Sequence, residues 1–174
     1  MRYFGKTEMK IKRVGFGGIP IQRISQEDTN KVIDELEKCG VNFIDTARGY
    51  TVSEEYLGNA LKGRREKFYI ATKSMSRDYE SMKRDIEISL KNLQTDYIDL
   101  YQMHNVKPAE YDTLFGEDKA YRALLEAKEQ GKIKHIGITS HGLETVEKAV
   151  ESDKFETIQF PYNIVENQAD EVFK

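Results

Sequence analysis

The chain has 174 residues, with 27 Lys plus Arg against 30 Asp plus Glu and a formal net charge of −3. Apolar residues make up 39% and charged residues 33% of it, enough for both a core and a solvated surface, which excludes a disordered chain. The small acidic excess argues against a nucleic-acid partner, because such proteins usually carry a basic excess.

The chain also lacks the marks of a membrane or secreted protein. No apolar run approaches the ~20 residues of a membrane span, and the first residues lack the apolar stretch of a signal peptide. The one cysteine, Cys39, allows neither an internal disulfide nor a cysteine-based metal or redox site. We therefore expect a cytoplasmic protein without a membrane contact or a metal.

A small β-hairpin is predicted at the start of the chain. Tyr3–Phe4 and Met9–Ile11 flank the turn-forming run Gly5-Lys6-Thr7. Such a hairpin could plug one end of a sheet that closes on itself.

Short β-rich runs then alternate with longer runs of helical period as far as the end of the chain. This alternation is typical of an α/β fold, in which helices cover a parallel sheet. The predicted strands are Arg13–Gly17, Asn42–Thr46, Phe68–Lys73, Tyr97–Met103, His135–Thr139 and Glu156–Phe160.

Three of the intervening stretches carry clear helix signals. Ser25 and Asp28 form a capping pair at the start of the first helix, and Gly40 marks its end. The third helical stretch in chain order has an apolar stripe and an opposite face of charged residues. The helix predicted near Tyr121–Gly131 likewise directs apolar residues towards the core. The stripe is Met82, Ile86, Leu90 and Leu93, the charged face is Lys83, Arg84, Glu87 and Lys91, and the later apolar set is Tyr121, Leu124 and Leu125.

The number of strand–helix units predicts an incomplete barrel. Six units are too few for a closed eight-stranded barrel of ~250 residues, and no linker divides residues 1–174, so we expect a single, partial domain. Asn167–Lys174 reads as the start of a helix without a stop signal. Either the chain is a fragment or another subunit covers the open edge, and open sheet edges also favour self-association.

Polar residues follow three consecutive predicted strands. Asp45, Lys73 and His104 lie at the carboxyl ends, and Tyr50 follows Asp45 closely. Parallel α/β folds place their chemistry at this rim. Taken singly, each residue has a structural reading, as a turn former, a surface lysine, a structural histidine or an ordinary tyrosine; together they indicate acid–base chemistry.

The types of side chain favour proton donation to a carbonyl. A tyrosine pKa near 10 is too high for easy proton exchange, so we expect the Lys73 ammonium to lower the pKa of Tyr50, with Asp45 holding that ammonium in place. Tyr50 would then act as a general acid, and His104 would orient the carbonyl oxygen or assist the transfer. The set contains no obvious nucleophile or metal site, so we expect a nicotinamide to supply hydride.

Three segments of the sequence carry a family resemblance. They are Gly40–Tyr50 (GVNFIDTARGY) with Ser53-Glu54 and Leu57-Gly58, Ile70–Lys73 (IATK), and Asp96–His104 (DYIDLYQMH). Through these segments the chain resembles the aldo-keto reductases over nearly its whole length. This resemblance implies a (β/α)₈ TIM-type barrel that reduces aldehydes or ketones with NADPH, and it assigns the catalytic tetrad to Asp45, Tyr50, Lys73 and His104.

The resemblance also implies cofactor contacts. Gly18 and Ile19 correspond to a loop near the nicotinamide ribose, although the neighbouring Gly17 could equally serve a tight turn. Ser140 and Gln159 correspond to residues that hold the carboxamide, and His141 stands where the family has an asparagine; Asp45 borders the same site. A buried glutamine that only satisfies backbone groups is the alternative for Gln159.

The resemblance stops before the family's later loops, which grip the pyrophosphate and the 2′-phosphate. We therefore expect weak NADPH binding by these 174 residues. Two other hypotheses remain: a non-catalytic, barrel-derived binding or regulatory subunit, and a Rossmann-type dehydrogenase, which Gly15-Phe16-Gly17-Gly18 supports weakly.

The loop Asn105–Gly116 is the one sizeable rim loop. Its apolar residues Tyr111, Leu114 and Phe115 either line a substrate pocket or pack the loop against the rest of the protein.

Overall fold

The computed structural model describes residues 1–172 and shows an α/β fold. A two-stranded hairpin precedes a six-stranded parallel sheet. The strands are β1 (Arg2–Tyr3), β2 (Lys10–Ile11), β3 (Phe16–Gly17), β4 (Phe43–Asp45), β5 (Tyr69–Ser74), β6 (Ile98–Met103), β7 (Ile133–Thr139) and β8 (Thr157–Gln159). The α-helices are α1 (Gln26–Lys38), α2 (Ser53–Ala60), α3 (Tyr79–Leu93), α4 (Pro108–Tyr111), α5 (Ala120–Glu129) and α6 (Leu143–Ser152). Short 3₁₀ helices occupy Ile19–Arg23, Arg65–Lys67, Asp112–Leu114 and Gln168–Glu171.

The six parallel strands follow one another in chain order and curl into a half-barrel. Each strand pairs with the next, for example Ile44 with Ile70 and Gly137 with Thr157. The main core lies between the sheet and the helices around it. The predicted α/β architecture of barrel type is confirmed, and within residues 1–172 β3 and β8 form the edges of the sheet.

The predicted hairpin is confirmed. β1 and β2 pair antiparallel, and Gly5 adopts the left-handed φ of +56° that the turn requires. Its apolar residues cover the amino-terminal end of the half-barrel: the ring of Phe4 packs edge-on against that of Phe43 at 5.3 Å, and Met9 is buried against Leu100. The hairpin thus plugs the end of the barrel opposite the polar rim.

The helix signals are also confirmed. The Ser25 hydroxyl oxygen accepts a hydrogen bond from the Asp28 backbone N–H at 3.0 Å, and Gly40, with φ of +67°, follows the end of α1. In α3 and α5 the predicted apolar faces pack on the core and the charged face of α3 is exposed. Within the loop after β6, Tyr111 and Leu114 are buried in the core, so the packing alternative is correct for this loop.

Two local predictions are wrong. The first strand is reduced from Arg13–Gly17 to Phe16–Gly17, because residues 13–15 are exposed and only the last two residues pair with β4. At the other end, the predicted α-helix contains a 3₁₀ helix at Gln168–Glu171, while Phe173 and Lys174 lie outside the described residues.

Candidate functional site

The carboxyl ends of β4, β5 and β6 bring the predicted polar residues to one rim. Asp45 ends β4, Lys73 is the penultimate residue of β5, and His104 directly follows β6. A cavity of about 240 Å³ at this rim is lined by Tyr50, Lys73 and His104. The structure therefore places these side chains at one site, with Asp45 bonded to Lys73 beneath it.

Asp45 and Lys73 form a buried ion pair. The Lys73 amine donates to Asp45 Oδ1 and, at 2.8 Å, to the Thr46 carbonyl oxygen. Gln102 Nε2 donates to the second Asp45 oxygen at 3.3 Å. The lysine residue is 3% exposed, so these bonds fix the orientation of its ammonium group within the strand end.

Burial and the ion-pair interaction have opposite effects on the pKa values of Asp45 and Lys73. Burial raises the pKa of the Asp45 carboxyl, although the Lys73 ammonium and Gln102 oppose the rise. Burial likewise lowers the pKa of the Lys73 amine against the effect of Asp45. The ion pair and its hydrogen bonds thus partly offset the cost of burying the two charged groups.

Tyr50 lies in the tight loop between β4 and α2. Its backbone N–H donates to the Ala47 carbonyl at 3.0 Å and its carbonyl accepts from the Ser53 N–H at 2.8 Å. The Lys73 amine lies 5.1 Å from the centre of the Tyr50 ring. Among residues 1–172, that amine bonds to Asp45 and Thr46 and not to the Tyr50 hydroxyl.

The predicted effect of Lys73 on Tyr50 is wrong in this structure. Burial raises the pKa of the Tyr50 hydroxyl, and the Asp45 carboxylate raises it further. The reason is geometric, because the Lys73 charge is directed at Asp45 and lies beside the phenol ring. Tyr50 is consequently a fully protonated phenol at neutral pH.

His104 is neutral at physiological pH. Burial lowers its pKa to about 4, and the charges of Lys73, Arg77 and His141 act in the same direction. Its ring meets the Tyr50 ring edge-on, with centroids 6.0 Å apart. Within the described residues its buried Nδ1 has no hydrogen-bond partner. A neutral imidazole can donate one N–H and accept at the other nitrogen, and it supplies no net charge.

Gly18 and Ile19 differ in their surroundings. The Gly18 N–H donates to the Asp45 carbonyl at 2.6 Å, and a Cβ at Gly18 would lie 3.0 Å from that oxygen and from Ser53 Oγ. Gly18 therefore has a packing reason to be glycine, whereas a Cβ at Gly17 would meet open space. Ile19 is 51% exposed, and neither Gly18 nor Ile19 is among the residues that line the cavity of about 240 Å³.

Ser140, His141 and Gln159 line the same cavity as Tyr50 and His104. The Ser140 hydroxyl donates to the Val106 carbonyl at 2.7 Å and its oxygen accepts from the Gly142 N–H at 3.0 Å, which leaves one lone pair on the oxygen. His141 is exposed. Gln159 is exposed rather than buried, which excludes the alternative that it only satisfies backbone groups, and its Oε1 accepts from Gln102 Nε2 at 3.4 Å.

Sequence reasoning missed two buried polar residues. Gln102 is 2% exposed and links Asp45 to Gln159; its position two residues before His104, on the same face of the strand, was the available signal. Glu54 is 1% exposed although it lies in the first turn of α2. Apart from Arg48, its bonding partners come from the distant segments β5 and α3, so no local pattern indicates its burial.

Residues 1–172 contain neither a cluster of metal-ligating side chains nor a helix suited to crossing a membrane. No group of three or more His, Cys, Asp or Glu side chains is arranged to hold a metal ion. No helix in that part of the chain is both long and apolar enough to cross a bilayer.

Several known proteins are similar to this chain in sequence or in fold. The chain is 32% identical to L-galactose dehydrogenase of Arabidopsis thaliana over an alignment of 154 residues, and the match covers 80% of this chain and 48% of that protein. It is 32% identical to methylglyoxal reductase DkgA of Escherichia coli (strain K12) over 137 residues, 77% of this chain and 48% of the relative. Among solved structures, the holo form of aldo-keto reductase AKR11C1 from Bacillus halodurans matches with a TM-score of 0.87 and 28% identity, covering 99% of this chain and 60% of that one.

The chain thus spans about half the length of the curated relatives it matches. The model of the aldo/keto reductase family matches residues 13–174, which is nearly the whole sequence. The chain therefore belongs to the aldo/keto reductase family.

Proposed function

We propose that this chain carries the catalytic residues of an NADPH-dependent reductase of aldehydes and ketones, with Tyr50 as the general acid. The observation that supports the proposal most strongly is the convergence of Tyr50, Lys73 and His104 on one cavity of about 240 Å³. Membership of the aldo/keto reductase family makes carbonyl reduction the natural reaction for this set.

The residues around the cavity are chemically suited to a nicotinamide carboxamide. Such a group needs acceptors for its N–H₂ and a donor for its oxygen. The exposed Gln159 amide offers both, and the Ser140 oxygen can accept. Gly18 and Ile19, which follow β3, would contact the ribose side of the nicotinamide, and His141, which lines the cavity, would lie near the carboxamide. When bound, NADPH would supply the hydride; its preference over NADH is part of the proposal.

Tyr50 holds the proton that the developing alkoxide needs. Because burial and Asp45 raise its pKa, the hydroxyl stays protonated across the neutral range. A carbonyl oxygen gains basicity as negative charge develops on it, and a phenol within hydrogen-bond reach then becomes an effective donor. Catalytic hydrogen bonds often tighten only when substrate is present, so the position of Lys73 beside the Tyr50 ring is compatible with this role.

Lys73 and His104 support the transfer in different ways. The Lys73 ammonium, held by Asp45 and the Thr46 carbonyl, would stabilise the phenolate that Tyr50 becomes. His104, neutral because of its lowered pKa, would orient the carbonyl oxygen through an N–H donor without competing as the acid. The fixed positions of these groups reduce the reorganisation needed in the transition state.

A small polar carbonyl compound fits the site best. The cavity of about 240 Å³ must hold the nicotinamide as well as the substrate, and Tyr50 and His104 are polar lining residues that face the substrate carbonyl in this proposal. One relative is named a methylglyoxal reductase, and methylglyoxal carries an aldehyde beside a ketone. We therefore propose short aldehydes and 2-oxoaldehydes as substrates. A cytoplasmic location is part of the same proposal, and the exposed free thiol of Cys39 agrees with a reducing compartment.

The direct test is a cofactor-oxidation assay on the protein expressed at its full natural length. We expect loss of NADPH absorbance that depends on added methylglyoxal or a short aldehyde and is slower with NADH. A reaction without carbonyl compound is the control. Binding of NADPH without turnover of any aldehyde or ketone would reject the reductase and favour the regulatory-subunit alternative.

A further inference from the structure

An ion-pair network behind the site joins the loop of Tyr50 to the strand of Lys73. Arg48 Nη1 donates to Glu54 Oε2 at 2.8 Å, and Arg48 Nε lies 3.7 Å from Asp85 Oδ1. The Arg48 backbone N–H donates to the Lys73 carbonyl at 3.0 Å. We call Arg48, Glu54 and Asp85 the Arg48 network.

The two carboxylates of the network hold the residues on either side of Lys73. Glu54 Oε1 accepts from Thr72 Oγ1 at 2.8 Å, and Asp85 Oδ2 accepts from the Ser74 hydroxyl. Side chains alternate along a strand, so Thr72 and Ser74 face the helices while Lys73 faces the interior. The strand end that carries Lys73 is therefore fixed from the opposite face of the sheet.

Glu54 is the most constrained member of the network. It is 1% exposed, and besides Arg48 and Thr72 it accepts from Ser89 Oγ at 2.7 Å and Asn92 Nδ2 at 3.3 Å. Burial works to lower the pKa of Arg48, but the Glu54 and Asp85 carboxylates outweigh it and keep the guanidinium charged. Buried ion pairs are seldom more stabilising than apolar packing, so stability alone gives little reason for this arrangement.

The short loop backbone couples the position of Tyr50 to that of Arg48. Only Gly49 separates the two residues, and Thr51, directly after Tyr50, has a φ of 42°, a strained value for a β-branched residue. Tyr50 itself is held in the turn by bonds to Ala47 and Ser53. A displacement of the Arg48 guanidinium would therefore move the Tyr50 hydroxyl relative to the Lys73 ammonium.

We propose that Arg48, Glu54 and Asp85 are positioning residues that set the Tyr50 hydroxyl against the Lys73 ammonium for proton transfer, an inference that rests on the proposed reductase function. Arg48→Lys tests it, because lysine keeps the charge and loses the planar fork that reaches Glu54 and Asp85 together. The matched control is Arg65→Lys. Arg65 is also largely buried and pairs with Asp99 at 2.7 Å, at the opposite end of the strands.

The readouts are kcat, KM and the NADPH dissociation constant at full natural length, with thermal midpoints for both variants. We expect Arg48→Lys to lower kcat roughly 10- to 100-fold, the usual cost of a small misplacement of reacting groups, with KM and NADPH affinity nearly unchanged. Arg65→Lys should lose comparable thermal stability and keep its kcat.

The kcat values distinguish a positioning role of the Arg48 network from a purely structural role. Wild-type kcat in a folded Arg48→Lys variant, or equal losses of kcat in the two variants, would show a purely structural network and leave the reductase function intact. Absence of turnover in the wild type would overturn the proposed function and this inference together. If Arg48→Lys does not fold, Asp85→Asn replaces it, since Asp85 is partly exposed; a kcat unchanged there would likewise overturn the inference.

Discussion

Burial controls the protonation of the candidate catalytic side chains more strongly than their charged neighbours do. It raises the pKa of Asp45 and Tyr50 and lowers that of Lys73 and His104, in each case as the largest single cause. Burial therefore works against the charged form at all four positions, and at Asp45 and Lys73 the ion pair opposes this effect. Sequence reasoning located these residues correctly from their strand ends, but it could not weigh burial against charge and so predicted the wrong direction for Tyr50.

His104 gives a prediction for stability against pH. Its pKa is about 4 in the folded protein against an ordinary value of 6.5, so as the pH falls below 6.5 the unfolded chain binds a proton before the folded one does. The free energy of unfolding should fall between these two pH values. In His104→Gln this part of the loss should be absent, which urea unfolding at pH 7 and pH 5 would measure.

The control for this experiment is His141→Gln, because His141 is exposed. That variant should keep nearly the wild-type difference between the two pH values. Equal pH dependence in His104→Gln and the wild type would mean that the imidazole of His104 is not held neutral by its surroundings.

At the scale of elements, the sequence predicted those features that depend only on residues within one helix. The Ser25 cap, the Gly40 stop and the apolar stripe of α3 each follow from spacing within one helix. The features that the sequence did not predict depend on distant partners. Glu54 is buried by side chains of β5 and α3, and residues 13–15 lack a neighbouring strand that would extend β3. The sequence pattern therefore could not predict how one element packs on another.

Gly58 provides a test of helix packing. A Cβ at this position would lie 2.2 Å from the Asn92 carbonyl oxygen and 2.8 Å from the Leu93 carbonyl carbon, so α2 can approach α3 this closely only with glycine. Gly58→Ala should destabilise the protein by roughly 1–3 kcal/mol, the usual cost of overpacking, measured by urea unfolding. Gly17→Ala is the control, because a Cβ there meets nothing within 4 Å; similar losses in the two variants would contradict the packing argument.

At the scale of the molecule, the half-barrel leaves apolar surface near its open side. A cavity of about 220 Å³ on the concave face is lined by Phe43, Leu100 and Ile158 among others. In the segment after β8, Ile164 and Val165 are 100% and 82% exposed. Together with the edge strands β3 and β8, these surfaces favour association of the 174-residue chain.

We expect the 174-residue chain to self-associate with rising concentration. Replacing Ile164 and Val165 together by Lys should reduce association, because it removes apolar surface and adds charge beside β8. Sedimentation velocity over a concentration series would measure it. Met75→Lys is the matched control, since Met75 is 62% exposed but follows the central strand β5; an equal reduction there would indicate a general charge effect.

The proposed reductase activity depends on Tyr50 as the proton donor, and the rate of NADPH oxidation by Tyr50→Phe tests this role most directly. The substitution removes one hydroxyl and keeps the ring beside Lys73. With a short aldehyde and the protein at full natural length, we expect kcat to fall roughly 10²- to 10⁴-fold, the contribution typical of general acid catalysis, while the NADPH dissociation constant stays near that of the wild type. A kcat within a few-fold of the wild-type value, in a variant that binds NADPH normally, would contradict the assignment.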